Sequence, residues 1–374
     1  MKFSVSCTSL LSHLQVAGRV IASKNSVPIL DSFLFDLRGN QLSITAADAE
    51  TRMVTSVEVS DVEGEGMVAI TARNLLDSLK ELPEQPIIFD IDEDNMSIFI
   101  YYENGKYNFV GQKGDDYPQP KPLRDGAAEL AMPAQVLMLG INRALFATAE
   151  DELRPVMNGI YFDISSEDIT FVASDGHKLV RFKTLEAKGA ERSSFILPKK
   201  PATLLKTILP KEAGDVKIMF DDNNAYFILE NFQLVCRLIE GRYPNYNAVI
   251  PQENPYKVMI DRQLFVNALK RVAVFSNPAS SLIKLQLSEN QIVVSAQDID
   301  FSTSAEEKIS CIYNGDAMNI GFKGVFLIEI LNNTPSADVV LELADPSRAG
   351  LILPSENEDK EDLLMLLMPM MLND

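Results

Sequence analysis

The sequence predicts an α+β protein of three repeated domains, each a tandem of two helix-plus-hairpin units, and three observations carry that reading. One order of elements recurs with a period of about 125 residues. Within each recurrence the apolar residues first fall at i, i+3, i+4 and i+7 and then alternate, the change from a helical to a strand period. Proline-rich segments, "DDYPQPKPLRDG" and "GRYPNYNAVIPQENP", separate the copies as linkers do. The domains are expected at residues 1–120, 128–250 and 256–374.

The first copy opens on a helical pattern, "CTSLLSHLQVAGRVIASKN", followed by two strand patterns split by the polar turn "RGN" in "ILDSFLFDLRGNQLSITAADAETRMV". Its second half has a short helix in "TARNLLDSLKELP" and hairpins in "IIFDIDEDNMSIFIYYENGKYNFVGQ". The second copy reads "PAQVLMLGINRALFATAED" and "VMNGIYFDISSEDITFVASDGHKLVRF", then "PKKPATLLKTILP" and "VKIMFDDNNAYFILENFQLVCRLI". The third reads "DRQLFVNALKRVAVFSN" and "SLIKLQLSENQIVVSAQDIDFSTSAEE", then "GFKGVFLIEILNNT" and "VVLELADPSRAGLIL".

At 41.5 kDa and 46% hydrophobic residues the chain can bury several cores. The start, "MKFSVSCTSLL", lacks the apolar region of a secretion signal, and the longest apolar run, "LLMLLMPMML", falls short of the roughly 20 residues that span a bilayer. Cys7, Cys236 and Cys311 are scattered without CxxC spacing, which predicts neither disulfides nor zinc and fits a reducing cytoplasm. A net charge of −19 repels polyanions from the average surface.

The stretch "VASDGHKL" carries one of only two histidines and gathers Ser174, Asp175 and His177, the residue types of a hydrolytic triad. Superposing the copies aligns "AADAE", "ASDGH" and "AQDID", so Asp48, Asp175 and Asp298 recur while Ser174 and His177 do not. A residue present in every copy serves the repeat, here as the side chain that caps a turn. Three neighbours on one turn also cannot reach the angles that a triad and its oxyanion hole need. No catalytic residue is expected.

Other chemical signals dissolve in the same way. "GEGMVA" leads into a strand rather than a helix and sets Glu65 where a phosphate would approach. Asp90, Asp92 and Asp94 begin a calcium-loop spacing, but Asn95 stands in place of its glycine and Tyr101 in place of its glutamate, so a solvated hairpin tip is expected. His13 and His177 fall in different domains, and no GxxxxGK[ST] is present. Neither a metal nor a cofactor is predicted.

Charge is segregated. The six helical patterns, from 8–25, 72–82, 133–148, 198–211, 261–277 and 322–334, hold 13 Lys and Arg against 4 Asp and Glu. That surplus of nine leaves about −28 for the rest of a chain of net charge −19. The basic residues include Arg19, Lys24, Arg73, Lys80 and Arg143, then Lys199, Lys200, Lys206 and Lys211, and finally Arg262, Lys270, Arg271 and Lys323. Helix propensity favours Glu about as much as Lys, so one-sided helices point to a face meant for a polyanion. Six helices spaced roughly 10 Å apart close around a hole of about 9 Å, and twelve around about 28 Å. A DNA duplex of about 20 Å passes only the second, which a head-to-tail dimer would supply.

In its motifs the chain resembles the bacterial DNA sliding clamps, the beta subunits of DNA polymerase III, from Met1 to about Leu372. The strings that carry the resemblance are "MKF", "VPIL" at 27–30, "SDGHKL" at 174–179, "GRYPNY" at 241–246, "LSENQI" at 287–292 and the terminal "MPMML". It implies a non-catalytic, cytoplasmic processivity factor in which helices line the inside of a dimeric ring around duplex DNA and sheets cover the outside. It further implies that an ATP-driven clamp loader opens the ring, and that the replicative polymerase and the loader dock short linear peptides in a groove between the second and third domains. Carried over position by position, that groove takes Met157, Ser174, Gly176, His177, Lys178 and Leu179. Pro244, Val249, Phe326, Met368, Pro369 and Met370 complete it.

The sequence also departs from the family. Ser280 and Ala248 stand where many members place an aromatic residue and an arginine on the groove rim, and the tail runs on to Asn373 and Asp374. The DNA-facing loop "AEDELRP" is acidic apart from Arg154. The dimer seam implied by the resemblance sets Tyr107 and Phe109 against Val274 and Phe275, as an edge-strand extension with a small apolar cluster.

Overall fold

The structure, a computed structural model, describes residues 1–372; Asn373 and Asp374, the expected tail extension, lie outside them. Among the described residues are six α-helices, α1 (Cys7–Ala17), α2 (Ala72–Lys80), α3 (Ala134–Ala144), α4 (Lys199–Ile208), α5 (Arg262–Ala273) and α6 (Gly324–Asn332). Four antiparallel sheets accompany them. The chain divides into two compact units, residues 1–138 with 200–238 and residues 139–199 with 239–374, so the central repeat contributes to both.

The repeating module has one strand more than the sequence pattern shows. Each helix is preceded by a short strand: Lys2–Ser6, Gly66–Thr71, Ala128–Pro133, Ser193–Pro198, Tyr256–Asp261 and Met318–Lys323. The chain therefore runs strand, helix and three strands, six times over, with two short extra strands, Ser60–Glu63 and Gln112–Lys113, in the first repeat. Where the opening strand ends, its last side chain can start the helix. Ser6 Oγ accepts from Ser9 N at 3.1 Å, and Asp261 Oδ1 accepts from Leu264 N at 2.7 Å. Pro201 sits in the first turn of α4, where its missing N–H costs nothing.

The helices are shorter than the patterns that announced them. α1 gives way to a 3₁₀ turn at Gly18–Val20, which leaves Lys24 and Asn25 in a loop, and Lys323 closes a strand instead of starting a helix. Each helix buries one apolar stripe; in α5 this is Phe265, Val266, Ala268, Leu269 and Val272. Every large side chain so buried stabilises by about 1.5–3 kcal/mol, so Leu269→Asp would lift this helix off its sheet.

In the first unit a five-stranded and a nine-stranded sheet enclose aromatic cores such as Phe3 stacked on Phe89 at 4.9 Å. The nine-stranded sheet is continuous because Thr51–Glu58 pairs antiparallel with Phe232–Arg237, a strand far along the chain. In the second unit an eight-stranded sheet is continuous in the same way, through Lys178–Thr184 paired with Glu361–Leu367, and a four-stranded sheet lies beside α5 and α6. A Cβ on Gly140 of α3 would sit 2.4 Å from the Phe171 ring, so glycine there admits the helix onto its sheet.

Candidate functional site

The recurrent aspartates do what their recurrence predicts. Asp48 Oδ1 accepts from the amides of Glu50 and Thr51 at 2.8 and 2.6 Å, and Asp175 Oδ1 from those of His177 and Lys178, both at 2.9 Å. Asp298 Oδ1 accepts from Asp300 and Phe301 at 3.0 and 3.4 Å. The same device closes a hairpin in the second half of each repeat at Asp92, Asp221 and Asp345, which the alignment of first halves did not reach.

In the second unit this turn stands beside α6 and the C-terminal segment. Ser174 Oγ donates to the carbonyl of Lys178 at 2.8 Å and accepts from Gly176 N at 3.1 Å. Its hydroxyl proton is therefore committed to backbone, and no hydrogen bond joins Ser174 to His177 among the described residues. Gly176 adopts φ +88°, the left-handed region that the tight turn requires. A Cβ there would also lie 2.7 Å from Arg154 Nη1, and Arg154 donates to the Asp175 carbonyl at 3.4 Å.

Lys178 organises the charge. Its buried ammonium meets Asp175 Oδ2 at 2.7 Å and Glu329 Oε2 of α6 at 3.1 Å, and lies 4.2 Å above the Phe326 ring. Burial pushes the Asp175 carboxyl up, but the Lys178 hydrogen bond and the Lys178 and His177 amides outweigh it and hold the group below its usual value. Phe326 also stacks on His177, centroids 5.9 Å apart, and Lys323 Nζ approaches its ring to 4.7 Å.

The C-terminal segment completes the site. Met368 N donates to the His177 carbonyl and Met370 N to the Gly321 carbonyl, each at 2.8 Å, which straps residues 368–370 between the turn and the strand Met318–Lys323. Beneath lies an apolar cluster of Leu179, Val172, Tyr243, Ile250 and Leu366, with Tyr161 stacked on Tyr243 at 4.7 Å. Pro244 and Val249 are exposed beside it, Met157 is buried, and Pro369 is half-buried. The floor is thus apolar and ordered while Met368 remains 43% exposed, an arrangement suited to receiving apolar side chains from outside. Sequence reasoning missed Glu329, Tyr161 and Tyr243, whose partners are remote in the chain. Ala248 is exposed, and Ser280 is half-buried, its Oγ accepting from Leu282 N at 3.3 Å.

Many expected DNA-facing cations have carboxylate partners. Arg73 and Lys80 share Asp77 at 4.0 and 3.6 Å, Lys199 meets Glu150 and Lys200 meets Asp48, both at 2.5 Å, Arg154 meets Asp151 at 2.8 Å, and Arg271 is forked on Glu307. Arg143 is half-buried and donates to the Asn333 carbonyl at 3.3 Å. Arg19, Lys24, Lys206 and Lys211 are exposed and have no ion pair among the described residues.

The four expected seam residues lie outside the cores. Tyr107 and Phe109, half-buried and edge-to-face at 6.4 Å, sit on Gly105–Val110, the outer strand of the five-stranded sheet. In the other unit Val274 is 78% and Phe275 39% exposed, and Thr303–Ser310 is the outer strand of the four-stranded sheet.

Family models for the DNA polymerase III beta subunit match end to end: its N-terminal domain at residues 1–121, its central domain at 131–245 and its C-terminal domain at 247–370. The beta sliding clamp of Pseudomonas putida is 28% identical over 368 residues, covering 98% of this chain and 99% of the relative. That of Escherichia coli K12 is 26% identical over 373 residues and all of both chains. The crystal structure of the sliding clamp from Pseudomonas aeruginosa bound to griselimycin superposes with a TM-score of 0.94 at 26% identity over all of both chains. The clamp from Bacillus subtilis, at 21% identity, shares the fold with a TM-score of 0.92.

Proposed function

The chain belongs to the DNA polymerase III beta subunit family, the beta sliding clamps, and from that premise we propose that it works as a ring-shaped homodimer around duplex DNA. The observation that carries the reading is how sheets are extended here. Two joints, at Thr51–Glu58 and at Lys178–Thr184, are made by antiparallel pairing between repeats, and Gly105–Val110 and Thr303–Ser310 are left as open outer strands. Pairing the first with the second on another copy, with Tyr107, Phe109, Val274 and Phe275 beside it, is the same operation performed between chains. Two such seams close a ring of six domains, bounded in each chain at about residues 1–120, 128–250 and 256–374.

Within that ring the helices carry Arg19, Lys206 and Lys211 as unpaired cations, with Lys24 in the adjacent loop, and the paired Arg73, Lys80, Lys199, Lys200 and Arg271 behind them. Each neutralised phosphate steepens the fall of affinity with salt, so a sparse lining gives weak contact at physiological salt. Retention then comes from topology. The clamp performs no reaction; it tethers the replicative polymerase and meets its loader through short peptides seated in the cleft of His177, Lys178, Leu179, Phe326 and Met368, in the cytoplasm.

The test is retention on nicked circular DNA after ATP-dependent loading, followed by a single double-strand cut. Release on cutting is expected; retention unchanged by the cut would mean surface binding and would overturn encirclement.

A further inference from the structure

The joint in the first unit repeats the backbone of the cleft but not its chemistry. Thr51–Glu58 pairs with Phe232–Arg237 beside the Asp48 turn, and the linker residues Tyr117 and Pro118 stand where Tyr243 and Pro244 stand in the other joint. Arg52, four residues after Asp48, takes the place that Leu179 holds after Asp175. Its side chain is 8% exposed, donates to the Pro118 carbonyl at 2.7 Å and lies 5.6 Å from the centre of the Tyr117 ring.

No carboxylate pairs with Arg52 among the described residues. Burial pushes the guanidinium's pKa down, with only the Tyr117 and Tyr226 phenols acting against it. The group lines a cavity of about 430 Å³ together with Ser43, Thr45, Gln119, Tyr226 and Gln233. The other charges of its wall, Asp36 and Arg38, are paired to each other at 3.1 Å. One positive charge is left over in a pocket where hydroxyls and amides alternate with Leu34, Val54, Met67, Pro120 and Val235, on a chain of net charge −19.

We propose that this pocket binds a carboxylate, carried on an acidic side chain of a peptide laid across the first joint. A buried cation without a counter-ion is costly, and a carboxylate can accept two parallel hydrogen bonds from its fork while Ser43, Thr45 and Gln119 supply further donors. The two joints then read different side chains with one backbone frame, aliphatic in the second unit and acidic in the first.

Calorimetric titration of the full-length protein tests this with three probes: succinate, acetyl-Ala-Ala-Asp-Ala-Ala-amide and the same peptide with Asn for Asp. The alanines keep the probe out of a cleft built for large apolar residues. Binding of the Asp peptide is expected, at least about tenfold weaker for the Asn peptide and equally weakened by Arg52→Gln. Because Arg52 is buried, Ser43→Glu serves as the second variant: it sets a carboxylate in the pocket without touching Arg52 and should weaken binding about tenfold at unchanged melting temperature. Succinate binding that is sensitive to Ser43→Glu would make the free carboxylate sufficient, and binding of the peptide alone would make its backbone necessary. Absence of heat from both, or affinity indifferent to Ser43→Glu, overturns the proposal. Removing residues 368–374 should leave the heat unchanged; its loss would put the peptide in the other cleft and equally overturn the assignment.

Discussion

The two strand joints share a plan and differ in one line of side chains. Both pair strands from different repeats, both lock the preceding turn with an aspartate, and both bury a linker tyrosine, Tyr117 at 1% and Tyr243 at 7% exposure. In the second unit Lys178 and Leu179 follow the turn, and the chain beyond the partner strand stays at the surface as Met368, Pro369 and Met370. In the first unit Thr51 and Arg52 follow it, and the next residue beyond the partner strand, Leu238, is buried. A peptide cleft therefore needs more than the joint; it needs an apolar floor and a segment such as 368–370 strapped along it as a wall.

Removing residues 368–374 should break the comparison most severely, by making the second joint resemble the first. Peptide affinity for the replicative polymerase's docking segment should fall more than about 100-fold in calorimetry, because the anchor pocket loses one wall, while sedimentation still reports a dimer. Unchanged affinity would remove the tail from the site. Next comes Lys178→Ala, which strands the half-buried Asp175 carboxylate without its cation and should cost about 3 kcal/mol in urea unfolding. Thr51→Ala, at the matching place in the first unit, should cost at most about 1 kcal/mol; equal losses would deny Lys178 its special role.

The same contrast has a pH dependence. The Asp175 carboxyl is held below its ordinary value, so its contribution is complete above about pH 4 and is lost as pH falls through the lower folded value. Asp175→Asn should therefore destabilise at pH 6 and converge on the parent protein only as pH falls through the lowered folded value, and parallel curves would contradict the assignment. His177→Ala should weaken peptide binding about fivefold by removing the stack on Phe326, and esterase or phosphatase activity should be no different before and after. The smallest change should come from Lys206→Ala, with DNA affinity lowered less than about threefold and the salt slope reduced by about one contact. A complete loss of loading would show that single cations matter more than the sparse lining allows.

The repeat, the six helices and the aspartate turns were legible because each rests on local chemistry. A side chain that caps its own turn leaves its mark within four residues, as Asp48, Asp175 and Asp298 do. The opening strands were not legible: segments such as Ala128–Pro133 are too short to alternate visibly before a helix takes over. The charge count within helices overstated the free cations, because the carboxylates that pair with Lys199, Lys200 and Arg271 come from Glu150, Asp48 and Glu307, all outside the helices counted. Lys178 and Arg52 look alike in the sequence, a basic residue beside a turn. Only the fold gives one of them Glu329 and leaves the other without a counter-ion.

The open strand Gly105–Val110 has a consequence for handling the protein. Its outer hydrogen-bonding groups are unpaired in a single chain, and Val110 at its end is 74% exposed. Such an edge accepts any other strand offered to it. In the proposed ring the other copy covers this edge, so dilution below the dimer's dissociation constant would uncover it, and loss of material on storage should then grow as stocks are thinned.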